Sequence, residues 1–293
     1  MSGNRSKLIA FNYFGGKITY LDQLYDYFPV NFVHFADVFG GSFAVTLNYK
    51  GKIIKTVNEI NCDITNFFEV LRDHEPELIR LLEFTPCSRE EYERCWEKSD
   101  DKIENARRFY VRLRQSFMGL GSSRQNKGWD MCHKTCLAEK GSSVSKWNNA
   151  IPKLHKVALL LRKEIQITNY DAFDFIKKLD FKDIFFYEDP PYLESVRNSR
   201  NNYTHEFPQN KHIKLAELNH KLKGKVMISG YDSKLYNELY SDWTKISFPS
   251  KKNGIRTKEV QEVVWFNYPI EDTVFHQRKE NLKKYGTPVY LDI

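Results

Sequence analysis

The sequence predicts a doubly wound α/β fold with a mostly parallel sheet and one inserted subdomain. Three observations predict it. Short apolar runs alternate with stretches of helical period, most of those runs end in a carboxylate, and the alternation breaks once, between about residues 85 and 149. Strands separated by helices are joined by crossovers, and crossovers give parallel pairing.

Taken in order, NFVHFADVF (31–39) is the first strand; it ends in Asp37 and runs into the turn Gly40-Gly41-Ser42. IIKTVNE (53–59) is the second and ends in Glu59. In NCDITNFFEVLRDH the apolar Ile64, Phe67, Phe68 and Leu71 share one helix face, and Asn61 or Asp63 is placed to cap it. Residues 85–149 then change character. SREEYERCWEKSDDKIENARRFYVRLRQSF is charged and helical in period, whereas MGLGSSRQNKGWDMCHKTCLAEKGSSVSKW is rich in Gly, Ser and Lys and has no period. Alternation resumes with KLHKVALLLRKE as a helix, IQITNYDAF as a strand ending near Asp171, and IFFYEDPPY as the next strand. IKLAELNHKLKG is a helix with Gly224 as its stop signal, KVMISGYDS a strand, SKLYNELYSDW a short helix and EVVWFNY (262–268) a late strand. The layout is Rossmann-like, with ligands expected outside the carboxyl ends of the strands. Asp37, Glu59, Asp171, Asp189 and Asp232 should converge there. The division that follows is a discontinuous domain of residues 1–84 and 150–275, an inserted subdomain of 85–149 and a tail of 276–293.

At 293 residues and 41% hydrophobic content the chain has enough apolar side chains for a large core. The net charge of +7 permits a polyanionic partner. No secretory pattern opens the sequence and no run of about 18 apolar residues occurs, so neither export nor a membrane span is expected. Five cysteines, an odd number, suggest reduced thiols in a cytoplasmic setting. Cys132, His133 and Cys136 lie close together but lack the second ligand pair that zinc requires, so no metal is expected.

Three segments carry chemistry. In ADVFGGSFAV a strand, an acid and a glycine turn precede a helix, the general layout of a nucleotide site. The turn has no lysine and no G-K-[ST], so a diphosphate is disfavoured, and Asp37 suits a cationic group. Glu59, about 20 residues further on and beside Ile60, can accept from both hydroxyls of a ribose. A tight turn and a surface glutamate are the plainer alternatives. Together the two features point to a positively charged nucleoside, a description that S-adenosylmethionine fits. FNYFGGK is either a loop before a helix or a segment closing on the methionine end, with Gly15 and Gly16 allowing the bend and Lys17 near a carboxylate. Finally, Asp189-Pro190-Pro191-Tyr192 ends an apolar strand. The prolines remove backbone donors but keep the carbonyls, Asp189 adds acceptors, and Tyr192 offers a ring for stacking. That is a pocket for a planar aromatic amine.

DPPY, DVFGGS, NYFGGK and ISGYDS together resemble the D12-class, Dam-like DNA adenine-N6 methyltransferases, and NEINCDITNFFEVLRDH, RRFYVRLRQSFMGLG and EVVWFNY resemble their phage and prophage-type members. The likeness extends over about residues 8–270; DPPY alone is shared with other amino-methyltransferases. The resemblance implies a class I methyltransferase fold, S-adenosylmethionine as cofactor with no metal, double-stranded DNA as partner, a monomer, and the cytoplasm of a prokaryotic or phage-infected cell. It assigns Tyr13, Gly15, Gly16 and Lys17 to the segment closing on the cofactor, and Asp37, Phe39, Gly40, Gly41 and Ser42 to its methionine side. It places Glu59 and Ile60 at the ribose, Tyr170 and Asp171 near the cofactor adenine, and Asp189, Pro190, Pro191 and Tyr192 on the target base. One departure stands out: where relatives commonly read EPF and a glycine-richer turn, this chain has Asp37-Val38-Phe39 and, after two glycines, Ser42-Phe43.

An adenine amine inside a duplex is out of reach, so the base must be flipped. Candidate DNA contacts are Arg112 and Arg114 on the charged helix, Arg124, Gln125, Asn126 and Lys127 in the following loop, Arg197 and Arg200 after the tyrosine, and Lys251 and Lys252 in a late basic loop. The plainer alternative for the helix arginines is pairing with neighbouring acids, as Glu and Arg do at helical spacing. Other readings of the whole chain are amino-methylation of RNA adenine, cytosine N4 or a protein amide, or a DNA-binding relative without catalysis.

Overall fold

The computed structural model describes residues 7–13, 15–116, 128–131, 143–193, 206–249 and 261–285. In chain order the elements are α1 (Leu21–Asp26), β1 (His34–Asp37), α2 (Ala44–Asn48), β2 (Ile54–Asn58), α3 (Cys62–Asp73), α4 (Glu75–Glu83), α5 (Arg89–Arg94), α6 (Lys102–Arg114), α7 (Ser143–Ala150), α8 (Leu154–Glu164), β3 (Ile165–Thr168), α9 (Ala172–Leu179), β4 (Ile184–Glu188), α10 (Gln209–Asn219), β5 (Lys225–Tyr231), α11 (Lys234–Leu239), β6 (Thr244–Ser247), β7 (Glu262–Phe266) and α12 (Val274–Tyr285).

Seven strands form one sheet in the order β3-β2-β1-β4-β5-β7-β6. The pairs from β3 to β5 are parallel, and β7 runs antiparallel between β5 and β6. The expected α/β sheet is therefore present. β1 and β4, central and covered on both faces, are buried at every position, which explains their continuous apolar runs. Phe35 and Phe185 stack at 5.7 Å on one face, in a cluster with Phe28, Tyr49 and Tyr187. Ala36, Ile184 and Phe186 face the other, with Ile176 of α9 and Leu215 of α10.

A third apolar cluster joins Phe67 and Phe68 of α3 to Phe109 and Tyr110 of α6 and to Val157 of α8. The charged part of the inserted stretch is thus two helices, α5 and α6, and α6 shares its core with α3. Asn61 caps α3 by accepting from the Asp63 amide at 3.0 Å.

Several boundaries differ from expectation. β3 stops at Thr168, and Asp171 instead caps α9, accepting from the Phe173 amide. α10 ends at Asn219, well before Gly224. β6 was not legible: TKIS is an edge strand whose burial alternates weakly. Among the described residues no helix is long and apolar enough to cross a membrane.

Candidate active site

The register of the central strands builds the site. Asp37 pairs with Val57 of β2 and with Tyr187 of β4, so the residues that follow these three strands emerge side by side. They open onto a cleft of about 360 Å³ lined by both glycine turns, by Asp37, Glu59, Asp171 and Asp189, and by Phe207 and Lys211 ahead of and within α10. That volume is in the range of small-molecule sites. Four of the five expected strand-end acids therefore meet. Asp232 is the exception: β5 carries it past the cleft, where it binds Lys245 at 2.9 Å and Asn237 at 2.7 Å near the surface.

The glycine turn is shaped by close approach. A Cβ at Gly40 would lie 2.3 Å from Val57 Cγ1, and Gly41 has φ +52°. Phe43, which follows, also has a positive φ, 57°, unique among the described non-glycine residues. Its ring is fully buried and stacks on Phe68 at 3.9 Å, which offsets the strained backbone. The departure at Ser42-Phe43 is thus accommodated by packing against α3.

Glu59 closes this turn onto β2: one carboxylate oxygen accepts from the Gly41 amide at 2.7 Å and the other from the Asn61 amide at 2.8 Å. Burial raises its pKa, and the backbone donors partly offset the rise. Asp37 is 1% exposed and accepts from the Thr46 hydroxyl at 2.9 Å. Burial pushes its carboxyl up to about 7, against the Thr46 bond, and Asp189 and Glu59 add to the rise. The cleft is an acidic floor with room for a cation.

Asp189 is fixed from two sides. Ser229 of β5 donates to it at 2.9 Å, and Lys17 Nζ lies 2.6 Å from both its oxygens. Lys17 is 4% exposed and also reaches the Gly15 carbonyl. Pro190 is buried and Pro191 lines the cleft. Tyr192 is 5% exposed and turned into the fold: its ring meets Tyr231 at 4.5 Å, Lys17 Nζ sits 4.8 Å from its centroid, and its hydroxyl donates to Glu262 of β7. The ring expected to stack on a base is therefore covered in this arrangement.

A profile of the D12 class N6 adenine-specific DNA methyltransferases matches residues 13–255. The chain belongs to this family. It is an adenine-specific DNA methyltransferase, and its sheet, with β7 inserted antiparallel beside β5, is that of a class I methyltransferase. No curated protein matches it.

For this methyltransferase the remaining sequence candidates fall into four groups. Tyr13, Gly15, Gly16, Phe39, Ser42 and Ile60 line the cleft with the acids. Tyr170 does not; it is 46% exposed, with Lys178 Nζ 5.4 Å from its ring. The arginines of α6 are engaged within the protein. Arg107 and Arg108 pair with Glu104, Arg112 binds Asp63 at 2.8 Å beneath the ring of Trp96, and Arg114 donates to the Lys146 carbonyl. This favours intramolecular pairing over a DNA contact for Arg112 and Arg114. Arg124, Gln125, Asn126, Lys127, Arg197, Arg200, Lys251 and Lys252 lie outside the described residues, as do Cys132, His133 and Cys136. Among the described residues no cluster of His, Cys, Asp and Glu could hold a metal. Sequence reasoning missed Thr46, Phe207, Ser229 and Glu262. Ser229 sits in the ISGYDS segment and Glu262 opens the EVVWFNY segment, but neither segment gives these residues a role.

Proposed function

We propose that this DNA adenine methyltransferase uses S-adenosylmethionine as its donor and acts on the N6 amine of an adenine flipped out of a duplex. The observation that carries the reading is the meeting, in a single cleft, of Asp189 on its proline turn with the acidic floor formed by Asp37 and Glu59. The donor set suits a cationic nucleoside: carboxylates predominate, and Lys17, the more buried of the two lysines lining the cleft, is committed to Asp189. Bound there, S-adenosylmethionine would supply a methyl group activated by the sulfonium charge. Asp37 would meet its ammonium group and Glu59 its ribose, with Ile60 and Asp171 flanking the nucleoside and Tyr13, Phe39 and Ser42 enclosing the methionine side.

The adenine amine is a poor nucleophile because its lone pair is delocalised into the ring. Two acceptors, the Asp189 carboxylate and the Pro190 carbonyl, would hold its two hydrogens and favour a more tetrahedral nitrogen. The amine lone pair would take the methyl group as the donor's C–S bond broke with its electron pair to sulfur, and the extra proton on nitrogen would leave to solvent. Positive charge grows on the amine beside Asp189, so orientation and a placed carboxylate supply the rate gain. Double-stranded DNA would be gripped by residues 124–127 of the inserted stretch, by Arg197 and Arg200, and by Lys251 and Lys252, with phosphate contacts setting register.

Long-read methylation mapping of DNA from methylation-deficient cells expressing the chain tests this. N6-methyladenine at a defined sequence is expected, and none with Asp189→Ala. Methyl groups found on RNA or on cytosine would move the chain to a different amine, and no modification from soluble protein would overturn the reading.

A further inference from the structure

The acceptor group assigned to the target amine already holds an amine. Lys17 Nζ lies 2.6 Å from both oxygens of Asp189 and 3.2 Å from the Gly15 carbonyl, so an ammonium occupies a carboxylate-and-carbonyl clamp of the kind the adenine would use. Ser229 and Lys17 already donate to this carboxylate and Lys17 spans both of its oxygens, so a target amine reaches it in good geometry only as the lysine moves aside. Lys17 must yield, and a buried ammonium cannot simply lose its partner, because breaking such a pair leaves an uncompensated charge.

A second carboxylate stands ready. Glu262 Oε1 is 3.4 Å from Lys17 Nζ, just beyond the 2.7–2.9 Å of a charge-assisted bond. It enters from β7, opposite Tyr231 of β5, and is itself buried. The Tyr192 hydroxyl donates to the same oxygen and fixes its position. A small swing of the lysine end therefore exchanges one carboxylate for the other without exposing the charge. Burial raises the Glu262 pKa and Lys17 opposes the rise, so the ammonium helps keep Glu262 ionised to receive it.

We propose that Glu262 is a positioning residue that takes the Lys17 ammonium from Asp189 as the target amine enters, clearing the clamp for the adenine. This rests on the reading of Asp189 as the amine-binding carboxylate. Nothing in the DPPY, FGGK or DVFGGS segments points to Glu262; only the antiparallel strand brings it there.

The test uses the full chain, unmethylated DNA and tritiated S-adenosylmethionine. Glu262→Gln keeps shape and removes charge. It is expected to raise the KM for DNA about ten-fold with kcat changed less, while cofactor affinity measured by calorimetry stays within about three-fold. In a Lys17→Met background the same substitution should leave the DNA KM unmoved, because no ammonium then competes for Asp189. Equal effects in both backgrounds would overturn the exchange and leave Glu262 a support for Tyr192. An unchanged KM in Glu262→Gln would overturn it outright. If the glutamine variant fails to fold, Glu262→Asp, with the charge set one methylene back, is compared across the same two backgrounds and read the same way. A wild-type chain that transfers no methyl to adenine would instead remove the underlying reading of Asp189, and this inference with it.

Discussion

Two turns bound the cleft, and they are held by opposite means. The turn after β1, Asp37 to Phe43, is shaped by the absence of side chains at Gly40 and Gly41 and by one buried ring that its neighbours clamp. The turn after β4, Asp189 to Tyr192, is shaped by polar contacts from far along the chain: the Lys17 ammonium, 172 residues from Asp189, and the Glu262 carboxylate, which accepts from the Tyr192 hydroxyl 70 residues away. The first is a steric device that a local reading can find. The second is an electrostatic device that exists only once β5 and β7 have paired. Damage to the first should appear as lost stability, and damage to the second as less efficient methyl transfer, through slower chemistry or weaker handling of DNA.

The largest effect should come from the second turn. Asp189→Ala should reduce methyl transfer by on the order of 10³-fold or more, with cofactor affinity measured by calorimetry little changed. A variant that keeps substantial activity in a tritium assay would break the contrast at its centre. Next comes Phe43. Removing its stacked ring with Phe43→Ala should destabilise the fold by about 3–5 kcal/mol in urea melts. Phe43→Gly should be milder by about 1 kcal/mol, reversing the usual order of Ala and Gly, because glycine tolerates the φ of 57°. If alanine proves the milder of the two, the backbone strain at this position is not real.

Gly40→Ala should cost about 1–3 kcal/mol through overpacking against Val57, and Val57→Ala should recover part of it. The smallest effect concerns Asp37, whose burial holds a proton up to about pH 7. Only the ionised form attracts a cationic amino group, so affinity for S-adenosylhomocysteine should weaken as pH falls below 7, by about ten-fold per unit, and level off above it. Asp37→Asn should flatten this profile. The same raised pKa means that the folded chain binds a proton that the unfolded chain has released, so Asp37 subtracts from stability as pH rises from the ordinary carboxylate range to 7.

Much of the architecture was legible because its signals are local. Continuous apolar runs named β1 and β4, the spacing of Ile64, Phe67, Phe68 and Leu71 named α3, and Asn61 named its cap. Asp171 was placed at a strand end although it caps α9, because the three residues from Asn169 read equally well as strand or turn. Asp232 was grouped with the site acids because a strand-end position looks the same whether the next residues turn toward the cleft or past it. For the α6 arginines the sequence left DNA contact and pairing with acids both open, because it does not show that α5 and α3 present Glu91 and Asp63 to them.

By itself, the sequence determined the alternation that makes the sheet, the two glycine turns, and the acids at the ends of β1, β2 and β4. These follow from side-chain periodicity and backbone freedom, which operate over a few residues. Only the tertiary structure decided that Lys17 rests on Asp189, that Tyr192 turns inward, and that Glu262 stands beside them both. Those outcomes depend on charges desolvated together by strands distant in sequence, and the strength of such contacts is set by burial that no single segment possesses before the sheet has formed.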